Sequence, residues 1–171
     1  MIKLLERGLH HAARLVAYVS GGLVLVAAVV TLYEVFMRSV INRPFFGAND
    51  LVLYVLTIGV IGFFPLMVDS GHHIKIDSFG KFLGPRWFRR FEWFGNIVTL
   101  FVLAAFVWQF WRQGMRMAGY NDVTQILQLP LAPMWFAASA ILGLATAIQL
   151  LIVLTGNIDR VAVHETLKQE T

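Results

Sequence analysis

The chain has 171 residues, of which 58% are hydrophobic, 13% aromatic and only 14% charged. The charged fraction lies well below the roughly 25% of soluble domains, and a mean hydropathy of +0.69 marks a membrane protein. The absence of cysteine excludes disulfides, thiolate metal sites and cysteine nucleophiles, and the net charge of +4 fits basic residues at membrane rims better than a nucleic-acid surface.

Residues 2–14 (IKLLERGLHHAAR) are basic and partly apolar, the composition of a short helix lying in the inner interface. The first span follows at 15–37. Its apolar core exceeds the about 7–15 residues of a secretory signal and ends in Tyr33, Glu34 and Arg38 without a small-residue cleavage site, so it reads as a retained anchor. Glu34 is the one carboxylate inside a proposed span, near its outer end, with Arg38 one helical turn further on. A rim ion pair that orients the span or contacts a partner is the plain reading; a proton-carrying carboxylate is the sharper one.

The second span, 51–68, contains Pro65, which should kink it by freeing the carbonyl of Ile61, while Gly59 and Gly62 permit close helix approach. The chain then leaves the membrane through Asp69-Ser70-Gly71. His72 and His73 are adjacent and so point apart, and they match no known metal-ligand spacing; the doublet His10-His11 stands at the same membrane level.

An amphipathic cytoplasmic segment is expected over 77–92. Asp77 and Lys81 are spaced for a helical pair, Gly84-Pro85 interrupts the run, and RWFRRFEWF sets Arg86, Arg89 and Arg90 among five aromatics. Two readings stand here. Residues 85–112 form one continuous helix that runs into the third span (93–111), or the basic stretch is a kinked loop with snorkelling arginines. Beyond the third span, Gly119, Asn121 and Asp122 read as a turn, and Pro130 and Pro133 lead into the fourth span, 131–154. On that span Ser139, Gly143 and Ala147 recur every four residues, a small-residue stripe suited to close helix packing. Asn96, Thr99, Gln109 and Gln149 are candidates for interhelical hydrogen bonds, and a short tail, 155–171, ends the chain.

The fold expected is therefore a single all-α membrane domain of four transmembrane helices with amphipathic interfacial segments. Ten of the fourteen lysines and arginines fall on the side shared by both termini and the loop after the second span, which places both termini in the cytoplasm.

Three stretches together resemble a known family. GHHIKIDSFGKFLGP, directly after the second span, resembles a Gly-x-His-Ile-x-Val-Asp signature that includes His73 and Asp77. FMRSVINRPFFGANDLVLYVL (36–56) resembles an Arg-x-x-x-Asn-Arg-Pro segment that includes Arg43, and NDVTQILQLPLAPMWFAASAILG (121–143) resembles a Thr-x-x-Leu-x-Leu-Pro segment. All three are similar to the small, Q-type membrane subunit of tripartite ATP-independent periplasmic (TRAP) transporters, over roughly residues 14–156. That family often carries two acids at the start of the second span. Here Asn49 replaces one of them and Asp50 remains, suited to a helix N-cap or dipole role.

The resemblance implies a non-catalytic scaffold for a sodium-coupled importer of organic acids in the bacterial inner membrane. The implied partners are a large M-type membrane subunit, which holds the substrate and sodium sites, a periplasmic substrate-binding protein, and membrane lipid at the basic segment 85–92. No cofactor is implied for this chain, and the sodium belongs to the partner. The sequence contains no phosphate loop, nucleophile elbow or metal-ligand helix, so no enzyme is expected. Two other classes compete: a self-sufficient proton-coupled exporter using Glu34, and a haem-binding anchor, which must contend with five histidines that all lie outside the spans.

Overall fold

The computed structural model describes residues 2–42, 45–70 and 85–155, with side chains placed over 8–42, 45–70 and 93–154. Helix α1 runs over Ile2–Phe36. At 35 residues it is about 52 Å long, more than the about 30 Å of hydrocarbon requires. The separate interfacial helix expected over 2–14 is instead the first part of this rod. No proline or glycine pair interrupts the segment, so nothing stops the helix there. At the far end the rod loosens into a π-turn over Met37–Ile41 and stops at Asn42, whose backbone is left-handed (φ 56°) and whose N–H bonds to the Met37 carbonyl. Asn tolerates that conformation better than other side-chain-bearing residues.

The second span is two helices, α2 (Ala48–Ile61) and α3 (Phe64–Asp69). The break is where Pro65 requires it. With no N–H at Pro65 the ladder closes differently, through Gly62 N–H to Ile58 O at 3.0 Å, Phe63 N–H to Val60 O at 3.3 Å and Met67 N–H to Phe63 O at 3.0 Å. The two pieces together still cross the membrane as Ala48–Asp69.

Helix α4 spans Pro85–Tyr120, 36 residues and about 54 Å. The basic stretch and the third span are thus one helix, opened by a proline whose missing N–H has no partner to lose in a first turn. The helix also outlasts the expected end near residue 112. Residues 112–120 contain no proline, and Arg112 and Arg116 are good helix formers. Helix α5 covers Ala132–Thr155. Among the described residues these give four segments long and apolar enough to span a bilayer: Gly8–Ile41, Ala48–Asp69, Trp93–Tyr120 and Ala132–Leu154.

Helix α5 is the centre of the bundle. It packs against α4 most extensively, and also against α3, α2 and α1. Its buried positions Ala138, Leu142, Ala145 and Gln149 recur at helical spacing, and a core cluster joins Ala13 of α1, Val68 of α3, Leu103 of α4 and Leu142, Ala145 and Ile148 of α5. The expected stripe divides. Ser139 is buried and donates its hydroxyl to Val107 O of α4 at 3.2 Å. A side chain added at Gly143 would meet nothing within 4 Å, and Ala147 is exposed. The stripe winds out of the α4 contact because a four-residue repeat drifts against 3.6 residues per turn.

Small residues do set the approach of α1 to α2. A methyl at Gly59 would touch Val24 Cγ2 at 3.1 Å and Ser20 O at 3.3 Å, and one at Gly62 would lie 2.9 Å from Ser20 Cβ and overlap its hydroxyl. Gly62→Ala should therefore destabilise the protein in detergent by about 1–3 kcal/mol, while Gly143→Ala should be neutral or stabilising by up to about 1 kcal/mol. Thermal unfolding of the two variants side by side checks both.

Candidate functional site: a loop fastened to the second span

The best-defined polar site lies at the end of the bundle that the charge count assigns to the outside. Between α4 and α5 the chain reverses over residues 121–131. Asn121 and Gln128 take left-handed backbones (both φ 52°). The two arms meet through Thr124 N–H to Leu129 O at 2.9 Å, Leu131 N–H to Asp122 O at 3.0 Å and a bridge between Val123 and Pro130. The Thr124 hydroxyl accepts the Leu129 N–H at 3.0 Å, so the loop closes on its own side chain.

Asp50 fastens this loop to α2. Its carboxylate oxygen Oδ2 accepts the N–H of Ile126 at 2.8 Å and of Leu127 at 2.9 Å, and the residue is only 6% exposed. Such charge-assisted bonds to successive backbone amides are stronger than neutral ones. One turn further along α2, Tyr54 donates its hydroxyl to Pro130 O at 3.1 Å. Leu127 closes the top: a methyl at Gly47 would sit 2.8 Å from two Leu127 carbons, and Gly47 also has φ 103°, a backbone that favours glycine.

The motif positions thus have separate tasks. Thr124 closes the loop, Leu127 covers Gly47, Leu129 sets the register, and the Pro130 carbonyl takes the tyrosine bond. Asp50 departs from the expected N-cap role. Gly47 is the N-cap and makes no side-chain cap bond, while Asp50, in the first turn, reaches across to the loop. A carboxylate in that turn still complements the helix dipole. Asn49 is exposed, so this fastening uses one acid where the family often carries two.

The other singled-out residues fall elsewhere. Glu34 and Arg38 form the expected i,i+4 pair at 3.5 Å, with Arg38 well exposed. Arg43, His73 and Asp77 lie outside the described residues, as does the tail from 156 onward. Arg86, Arg89 and Arg90 belong to the first turns of α4. Gln149 Nε2 donates to Asn96 O and Oδ1, both at 3.0 Å, fixing α5 to α4 inside the membrane. Besides the partners of Asp50, sequence reasoning missed the contacts of His10 and Tyr54. His10 Nδ1 bonds Asp69 Oδ2, tying the start of α1 to the end of α3, and Tyr54 reaches Pro130. The partners lie 59 and 76 residues apart, and no local pattern links them.

These features define a multi-pass α-helical membrane protein whose buried polar side chains hold helices and a loop in place. The family model described as tripartite ATP-independent periplasmic transporters, DctQ component, matches residues 27–157, and the chain belongs to that family. It is a small membrane subunit of a TRAP transporter. No curated protein and no solved structure matches the chain.

Replacing Asp50 tests the fastening. Asp50→Ala strands two amides and should lower the opening free energy of the 122–131 loop by about 2 kcal/mol, or about 30-fold faster amide exchange at Ile126 and Leu127. Asp50→Asn, which keeps an acceptor oxygen without the charge, should fall between that variant and the parent in the same exchange measurement.

Proposed function

We propose that this chain is the fixed, non-catalytic scaffold of a sodium-coupled organic-acid importer in a bacterial inner membrane. It braces a large M-type transport subunit supplied with substrate by a periplasmic binding protein. Membership of the DctQ family supports the transporter setting.

The observation that carries the scaffold role is the employment of the buried polar side chains. Asp50 and Thr124 hold the loop, Ser139 holds α5 to α4, and Gln149 spans the same two helices. The bonds of Asp50, Ser139 and Gln149 each fix one element against another, and that of Thr124 closes the loop on itself. A carrier that binds and releases a solute needs polar groups free to exchange partners; here these groups are bonded to the protein itself, and Gln149 Oε1 is the one buried side-chain atom among the described residues left without a partner. Glu34, the carboxylate an exporter would use, is paired with Arg38 near the end of α1. His10, one of the histidines a haem anchor would use, is paired with Asp69.

Sodium and substrate then bind in the large subunit, and both termini of this chain lie in the cytoplasm, as the distribution of basic residues implies. Reconstitution into proteoliposomes tests the proposal. Sodium-driven uptake of an organic acid should require this chain, the large subunit and the binding protein together. Uptake by this chain alone, or full uptake without it, contradicts the scaffold role.

A further inference from the structure

Helix α4 is the peripheral helix of the bundle. It packs chiefly on α5, and only 6% of its most apolar window is buried, against 33% for α5. The side turned to α5 carries buried Leu103 and partly buried Val107 and Phe110. The opposite side is exposed and has a pattern of its own.

Trp93 (54% exposed), Phe94, Phe101 (75%), Trp108 (69%) and Met115 fall within about 100° of one another at 3.6 residues per turn, while Trp111, at the edge of this face, turns edge-on to Phe136 of α5 with ring centroids 5.0 Å apart. Trp93 and Phe94 at one level and Trp108 at the other are separated by about 21 to 23 Å along the axis, within the about 30 Å of the hydrocarbon core. Between them this face carries Ile97, Phe101 and Ala104, with no polar side chain, and Arg112 lies exposed one turn beyond Trp108. Aromatic belts at two headgroup levels, an apolar band between them and a cation outside match a bilayer in cross-section.

A partner helix would ask for something different. Helices that meet in a membrane do so through small residues and polar bonds. This protein follows that rule where its own helices touch, at Gly59 and Gly62 against Ser20, and at Ser139 against Val107. The outward face of α4 is bulky and lacks both devices apart from Ala104.

We propose that this face of α4 meets phospholipid in the assembled transporter and forms its outer edge, so that the large subunit docks on another side of the bundle. The docking half of the statement rests on the scaffold reading above; the lipid half does not.

The chain has no cysteine, so single replacements take one label each. Phe101→Cys would carry an environment-sensitive fluorophore in vesicles of brominated or unbrominated phosphatidylcholine, with Trp108→Cys as a second reporter should the first misfold. Brominated lipid should quench the label strongly in the chain alone and to the same extent after co-reconstitution with the large subunit. A several-fold loss of quenching when the large subunit is present would make this face a protein interface and overturn the proposal. Absence of quenching in the chain alone would overturn it as well. Co-purification of the two subunits is scored on the same samples, and its failure would count against the scaffold reading while the lipid contact is still read from the chain alone.

Discussion

Hydrocarbon offers no hydrogen-bond partners, and that constraint governs the whole structure. A polar group at membrane depth is costly unless it bonds within the protein or lies at the edge, and among the described residues one buried side-chain atom, Gln149 Oε1, does neither. The backbone satisfies the constraint with helices. Even the interruption at Gly62-Phe63 stays bonded, because the carbonyls of Ile58 and Val60 take up the neighbouring amides. The side chains satisfy it locally or across helices. Thr31, Thr57, Thr99 and Thr146 each return a hydroxyl proton to the carbonyl four residues earlier, whereas Ser139 and Gln149 bond to α4. The Glu34–Arg38 ion pair and the His10–Asp69 hydrogen bond stand toward the ends of their spans.

From that constraint follows a division of labour. The interior fastens α5 to its neighbours with small apolar residues and a few polar bonds. At one end of the bundle the start of α2 and the loop before α5 are distant in sequence, and three contacts join them. Asp50 holds two amides, Tyr54 holds one carbonyl, and Leu127 caps Gly47. The result is a fixed surface at that end of a bundle whose long exposed faces remain apolar, and the proposed supporting role rests on that fixity.

Much of this was legible in the residues. Runs of apolar residues located the four spans, because about twenty of them match the hydrocarbon thickness. Pro65 announced the break in the second span, and Gly59 and Gly62 announced a close contact, since each follows from covalent structure alone. The i,i+4 spacing of Glu34 and Arg38 was enough to pair them. Helix ends were harder to read. Residues 2–14 and 112–120 are polar enough to look like interface or loop, yet nothing in them breaks a helix, and both continue the neighbouring span. The long-range contacts left no trace in local pattern. Asp50 declared its chemistry but not its partners, because the amides of Ile126 and Leu127 are backbone groups that any sequence supplies. His10 and Asp69 meet only once α1 is docked on α3.

The most direct test of the account is the side of the membrane on which each loop lies. Single cysteines at Gln125, in the loop held by Asp50, and at Ser70, at the end of α3, can be probed in spheroplasts with a membrane-impermeant maleimide. The account predicts labelling of Gln125→Cys from outside and of Ser70→Cys only after the membrane is opened. Labelling of both from the same side would contradict it.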